Sequence, residues 1–381
     1  MNVKYLKLVN FRNYEKLEME FEDGFNILYG QNAQGKTNVL EAVFLCSSGR
    51  SHRTAKDHDI VKIGKDEYGV KLLVGKKDTE TLIEVTYKKD EKKKVRINEI
   101  PVQKIGSLMG CLNTVMFSPE DLLIIKEGPQ ERRRFLDITI SQLKPSYFYN
   151  LQQYARVLEQ RNSLLKRLQY AGARADTLEV WNKSLAETGA KIIKTRAEFI
   201  RRLNIKVGSC HGRLTAGNEK LEMEYAPSVE VDEGMETGEI EEVFVKTMER
   251  EYRKEIEKGS TMCGPQRDDF DIRLNGISLK MFGSQGQQRT AILSVKLSEL
   301  DIMKEETDES PVLLLDDVMS ELDSKRQQYL FDNLDEIQTF ITCTDSAFFC
   351  GRIKGKSGFF YVEKGKVMRN DSPNNLQSAI N

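Results

Sequence analysis

The chain has few of the residues most enzymes use for covalent or acid–base chemistry. It holds 3 histidines in 381 residues, so a histidine-based catalytic centre is not expected. Cysteines stand at positions 46, 111, 210, 263, 343 and 350, with no C-x-x-C pair and no histidine at ligand spacing. Scattered thiols of this kind read as reduced, mostly buried side chains of a cytoplasmic protein, and not as a zinc site or a disulfide framework. No stretch approaches the roughly 18 apolar residues of a membrane span, and the N-terminal MNVKYLKLVNFRNYEK has no leader-like apolar run. An excess of one charge is also missing. The balance is 58 Lys and Arg against 59 Asp and Glu, a net charge of −1, so any polyanion partner must be met by local patches. No extra acidic or histidine cluster stands ready for phosphodiester cleavage, which argues against a nuclease.

The length allows more than one core. VKYLKLVNF and LEMEFEDGFNILYG read as strands, and a helix follows over residues 37–46. Residues 68–97 alternate as strands do, with a charged turn KKDEKKK. From about 120 to 260 the sequence is long, charged and helical. Leu151, Tyr154, Leu158, Leu165 and Leu168 keep a helical spacing broken by Arg161; beyond AGARAD, Leu178, Trp181, Leu185, Ile192 and Phe199 resume it. This predicts an antiparallel helical hairpin with legs of about 25 residues, roughly 40 Å each. Residues 229–258 read as an acidic helix. Strand character returns at PVLLLD and TFITCT.

FNILYGQNAQGKTNVLEAV carries the strongest local signal, G-x-x-x-x-G-K-T over residues 30–37, behind an apolar strand and ahead of a helix. Gly30 and Gly35 permit unusual backbone angles and close approach to phosphate. The loop residues Gln31, Asn32, Ala33 and Gln34, continuing through Gly35 to Thr37, would present backbone N–H groups to an ATP phosphate at a helix N-terminus. Lys36 would reach the phosphate oxygens, and the Thr37 hydroxyl would ligate Mg²⁺. PVLLLDDVMSELD supplies the partner element. Residues 312–315 form a buried strand, Asp316 would hold the Mg²⁺ shell, and Asp317 sits where a general base for the attacking water belongs.

MFGSQGQQRT then opens a helix with Ser284, Gln285, Gly286 and Gln287. A capping serine explains one of these. A helix N-terminus rich in bare N–H groups is also a place to hold an anion. The chain's own P-loop already surrounds its phosphate, so this second terminus best meets a γ-phosphate held by another subunit. SQGQ at 284–287 looks like the signature of ABC ATPases, in which two heads sandwich two nucleotides.

With these motifs, the blocks LVNFRNYE at 8–15, SHRT at 51–54, SPEDL at 118–122, EGPQERRRFLD at 127–137, GPQRDD at 264–269 and LDDVMSELD at 315–323 stand in order along the chain. End to end it resembles the RecF family of bacterial recombination-repair ATPases. That resemblance implies an α/β fold: an ABC-type P-loop head, with a mixed β lobe and a parallel-sheet core, over residues 1–120 and 262–381. Residues 121–261 would be an inserted helical arm. It implies ATP-dependent homodimerisation, DNA binding, weak DNA-stimulated ATP hydrolysis as a switch, loading of a recombinase at gapped DNA, a part in the SOS response, and RecR and RecO as partners. It places Lys36 and Thr37 on phosphate and Mg²⁺, Asp316 on Mg²⁺, Asp317 at the base position and Ser284 in trans. Asp323 would lie near the dimer interface, and Arg12 would face the phosphates. Asp317 replaces the glutamate most ABC heads carry, which implies slow turnover. Thr342 or Thr344 stands where ABC heads have a switch histidine. In GPQRDD, Arg267 would pair with Asp268 or Asp269 as an anchor.

Candidate DNA contacts are Arg50, Arg53, Lys92, Lys93, Lys94 and Arg96, with Arg201 and Arg202 on the arm; each cluster taken alone is more often solvated surface. Arg132, Arg133 and Arg134 read as interface or core anchors. Without aromatic and basic residues interleaved, backbone contact to duplex is favoured over base stacking. Two other readings are weaker. A transporter's nucleotide-binding subunit would place its signature nearer the P-loop than the about 250 residues between Lys36 and Ser284. A cohesin-like tether would need far longer coils.

Overall fold

A computed structural model of the chain describes residues 1–171, 178–334, 336–346, 349, 352–353 and 355–370. Most of AGARAD, where the sequence places the turn of the hairpin, and Cys350 lie outside the described residues. The chain divides into two compact units, Met1–Asp121 with Lys296–Asn381, and Leu122–Val295.

In the first unit, Phe25–Tyr29, Thr114–Phe117, Val312–Asp316 and Thr339–Cys343 are buried at every position. Continuous apolar runs of this kind suit parallel strands covered on both faces. They pair in parallel in the order Phe25–Tyr29, Thr339–Cys343, Val312–Asp316, Thr114–Phe117. Ser357–Glu363 extends the sheet in parallel beside Phe25–Tyr29, and Lys366–Asn370 closes that edge antiparallel. A second six-stranded sheet is antiparallel throughout, running Tyr14–Glu20, Asn2–Phe11, Glu67–Gly75, Glu80–Lys88, Lys94–Ile97, Ile100–Val102. The helix Lys36–Ser48 follows the strand Phe25–Tyr29, which lies between Ser357–Glu363 and Thr339–Cys343.

The second unit is built on the helices Pro129–Leu143, Pro145–Ala171, Leu178–Leu214 and Thr237–Lys258. Tyr147 meets Arg196, Tyr154 lies against Gly189 and Arg161 meets Asn182. Partners advance along one helix as they retreat along the other, so the two legs are antiparallel. They are unequal: 27 residues against 37. Arg161, the residue that breaks the apolar stripe, is fully buried, ion-paired to Glu255 at 2.6 Å and bonded to Asn182 and Thr261 at 2.7 Å. Breaking such a pair from one side costs about 3–5 kcal/mol.

This unit also holds a three-stranded antiparallel sheet of Leu221–Ala226, Asp269–Leu274 and Ile277–Ser278. The strand Leu221–Ala226 falls where the sequence suggested helix, and the helix expected from residue 229 starts at Thr237, behind a Glu236/Glu239 capping box. Because Asp269–Leu274 pairs with Leu221–Ala226, residues beyond 262 belong to this unit, and its boundary falls at 295/296. The anchors of GPQRDD also differ from expectation. Arg132 holds the Asp269 carboxylate with two bonds, at 2.5 and 2.9 Å, and Arg196 lies 3.4 Å from Asp268. Arg133 donates to the Asp268 carbonyl at 2.7 Å, while Arg267 turns to the Thr261 carbonyl at 3.3 Å.

Candidate nucleotide site and signature helix

Three adjacent parallel strands end side by side, with Leu28, Thr342 and Asp316 in register. The carboxyl ends of such strands are where α/β sheets bind ligands. The P-loop leaves the first of them. Gly30 has φ 141° and Gly35 φ 114°, angles that only glycine takes without strain. A side chain at Gly30 would run into the Val362 carbonyl, and one at Gly35 into the Asn13 amide. Ala33 takes φ 63° without being glycine. Gln31, Asn32 and Ala33 are exposed. Gln34 pins the loop: its carbonyl accepts from Asn13 Nδ2 at 2.8 Å and its side chain from the Lys364 N–H at 2.6 Å. The helix Lys36–Ser48 starts behind Gly35 with no side-chain cap.

Lys36 lies folded over the loop, its Nζ donating to the Gly30 carbonyl at 2.6 Å and the Gln31 carbonyl at 2.8 Å. Burial pushes its ammonium below the ordinary value, with Cys343, Asp317 and Asp316 pulling the other way. Asp316 is buried, and one of its oxygens accepts from both Thr37 Oγ1 and Thr342 Oγ1, each at 2.7 Å. Thr342 Oγ1 in turn accepts from the Asp317 N–H at 2.9 Å. Thr342, and not the exposed Thr344, is therefore the side chain that joins the two aspartates. Asp317 itself is exposed at φ 53°, an angle aspartate tolerates better than most residues. Asp323 caps the helix Ser324–Asp332 by accepting from the Arg326 N–H.

Sequence reasoning passed over Glu41. Fully buried in the P-loop helix, it takes two bonds from Arg12, of 2.8 and 2.5 Å, and one from Ser51 at 2.5 Å, with Arg53 at 3.8 Å. Burial works to raise its pKa, but the donors from Arg12 and Ser51 hold it below the ordinary carboxylate value. Arg12 was expected to face phosphate; its fork is committed to Glu41 and its third nitrogen to the Asp59 carbonyl at 2.6 Å. Arg53 reaches Asn38 at 3.2 Å and Asn38 reaches Asn13 at 2.8 Å, so SHRT, Arg12 and the P-loop form one connected shell.

The basic candidates separate. Lys93 is nearly buried and donates to the Gly49 carbonyl at 2.8 Å and to Asp57 at 2.7 Å, a cation at the C-terminus of the P-loop helix. Lys92 and Lys94 are exposed beside a groove that Tyr87 and Lys88 also line. Arg96 and Arg50 are exposed as well. Arg201 makes an exposed pair with Glu233 at 3.6 Å.

In the second unit the helix Gln285–Thr307 opens at the signature. The Ser284 N–H donates to Gln287 Oε1 at 3.0 Å and the Gln287 N–H to Ser284 Oγ at 3.3 Å, a reciprocal capping box. Gly286 has open space where a side chain would stand. Next to the exposed Ser284 and Gly286, Met281 and Phe282 are 70% and 75% exposed.

The fold and these motifs define a P-loop ATPase head of the ABC and SMC class, carrying a helical insertion. A family model described as the RecF/RecN/SMC N-terminal domain matches residues 2–366. The DNA replication and repair protein RecF of Acetivibrio thermocellus is 53% identical over 367 residues, 96% of this chain and 100% of that protein. Its counterpart in Ruminiclostridium cellulolyticum is 48% identical over 368 residues, 96% of this chain and 99% of that protein. A solved structure of the recombination mediator protein RecF-ATPrS in the RecFOR pathway superimposes with a TM-score of 0.90 at 41% identity, covering 97% of this chain and 98% of that one. An Smc head bound to the C-winged helix domain of ScpA shares the fold alone, at 12% identity and a TM-score of 0.56, with 100% of both chains covered. The chain belongs to the RecF/RecN/SMC family and, within it, to the RecF proteins of DNA replication and repair.

Proposed function

We propose that this chain is an ATP-driven switch of recombinational DNA repair, which dimerises around ATP, binds DNA in that state and releases it on slow hydrolysis. The convergence of the P-loop, Asp316 and Thr342 at three strand ends carries this reading. Solved RecF structures with ATP and ATPrS, 41% identical to this chain, support it. Thr37 and Asp316 fit Mg²⁺, since both offer hard oxygen donors and lie 2.7 Å apart. Mg²⁺ held there would offset the charge of the phosphates. Lys36 and the loop N–H groups bind the phosphates, and Asp317 orients the attacking water. Ser284, Gly286 and Gln287 meet the γ-phosphate of the second subunit, with Met281 and Phe282 covered in the contact. Asp317 is a shorter carboxylate than glutamate, which suits a slow, DNA-stimulated timer. Lys92, Lys94 and Arg96 contact DNA phosphates, whereas Lys93 serves the fold. The chain acts with RecR and RecO to load a recombinase at gaps, supporting the SOS response.

Sedimentation with and without ATP and Mg²⁺ tests the core of this. The wild type should pass from monomer to dimer with nucleotide, and Ser284→Arg should bind ATP yet stay monomeric. A wild type that stays monomeric with ATP bound, even with DNA present, would overturn the sandwich.

A further inference from the structure

Beyond the signature residues themselves, the structure shows what holds them. Gln287 has two side-chain partners. Its Oε1 receives the Ser284 N–H at 3.0 Å, and its Nε2 donates to Glu219 Oε1 at 2.8 Å. A backbone N–H can only donate and a carboxylate can only accept, so together they determine which end of the amide faces which way. Glu219 is held in turn. Its other oxygen lies 3.2 Å from Nε2 of His211, a fully buried histidine in the last turn of the long helix Leu178–Leu214. The other nitrogen, His211 Nδ1, lies 3.0 Å from Ser294 Oγ, about two turns further along the signature helix. The His211–Glu219 pair thus grips that helix at two points, Gln287 and Ser294.

The backbone that delivers Glu219 is itself constrained. The long helix ends in a left-handed pair, Ala216 at φ 52° and Gly217 at φ 77°, closed by Gly217 N–H to the Gly212 carbonyl at 2.8 Å. On the far side, Lys220 is bonded both ways to Asn275, with each distance 2.8 Å. Glu219 stands between a helix cap and a strand end, a rigid mount for one carboxylate.

We propose that Glu219, backed by His211, is a positioning residue for the signature. It fixes the Gln287 amide, through it the Ser284 cap, and ties the signature to the end of the arm helix. This rests on the reading of residues 284–287 as the group that meets the second subunit's nucleotide. Without the carboxylate, the amide keeps only the Ser284 N–H as its anchor and the dimer must complete its ordering on assembly.

The test is sedimentation of the full chain with ATP and Mg²⁺, on Glu219→Ala, Gln287→Ala and the double variant, beside monomer affinity for a fluorescent ATP analogue. Glu219→Ala should weaken the nucleotide-bound dimer by about 10-fold, as loss of one charge-assisted bond would. Nucleotide affinity of the monomer should stay within about 2-fold, a margin well below that loss. The double variant should be no weaker than Gln287→Ala alone, because Glu219 acts through that amide. Glu219→Gln, which keeps an acceptor for Gln287, should recover most of the loss. Glu219→Met, of similar length but without a carboxylate, carries the same comparison if Glu219→Ala does not fold. Dimerisation unchanged in Glu219→Ala, or losses that multiply in the double variant, overturns the proposal. Ser284→Arg separates the two failures. If it abolishes the dimer while Glu219→Ala leaves it intact, only the positioning role falls; if it leaves the dimer intact, the signature reading falls first.

Discussion

Replacing Thr342 by valine is the sharpest probe of the nucleotide site, because one hydroxyl serves both aspartates. Thr342 Oγ1 donates to Asp316 at 2.7 Å and accepts from the Asp317 N–H at 2.9 Å. Valine keeps the shape and loses both bonds. The orphaned N–H costs about 1–3 kcal/mol, and the lost donor to a carboxylate about 1.5–3 kcal/mol. Burying a methyl returns about 0.8 kcal/mol, and Asp316 keeps the Thr37 hydroxyl at 2.7 Å. A net loss of about 2–5 kcal/mol follows, or a fall of roughly 4–20 °C in the unfolding of this unit. Function should suffer as well. On the proposal that Asp316 holds Mg²⁺, a group that orients such a carboxylate is typically worth about 10–100-fold in metal affinity or activity, so ATP turnover should drop by that factor. Thr342→Ser should restore both, since it keeps the hydroxyl. Thr344→Val should change stability by less than about 0.5 kcal/mol, as exposed sites do. The assays are thermal unfolding and steady-state ATP hydrolysis on the same preparations. A neutral Thr342→Val, or a larger effect at Thr344, would falsify the assignment of Thr342 as the link between the aspartates.

Two further predictions use other parts of the first unit. Asp121 accepts from the Ser118 N–H at 2.7 Å, and burial lifts its pKa from 3.8 to about 6 against the pull of Lys296. The folded state therefore holds a proton that the unfolded chain has released, and stability should fall as pH rises from about 4 to about 6, by at most about 3 kcal/mol, then level off; urea midpoints that show no such slope relative to Asp121→Asn would refute this. On the DNA side, Lys92→Ala with Arg96→Ala should lower the salt slope of duplex binding by about 2, read by anisotropy, whereas Lys93→Ala should lower stability through its lost pair with Asp57; an unchanged slope in the first pair would remove those residues from the contact.

The shape of the loop at residues 30–37 was legible because its backbone constrains residue type. Gly30 and Gly35 occupy angles and spaces that other residues cannot, and the strand before them is buried on both faces, so each leaves a mark on the sequence. Charged side chains leave no comparable mark. Glu41 looks like an ordinary helix former until the fold brings Arg12 and Ser51 onto it. Lys93 sits in a run of lysines that reads as solvated surface, yet the next strand turns it onto Asp57 and the helix end at Gly49, while its neighbours stay outside. Arg161 breaks an apolar stripe and still lies in the core, since Glu255 and Thr261 arrive from far along the chain. The boundary near 262 was hidden for the same reason: the partner of Asp269–Leu274 is a strand inside the presumed helical arm. Local spacing reports what a residue can do. Whether a charge is spent on the fold or kept for a ligand depends on partners that only the tertiary structure selects, so variants that separate Lys93 from Lys92, and Thr342 from Thr344, test the reading where the sequence alone could not choose.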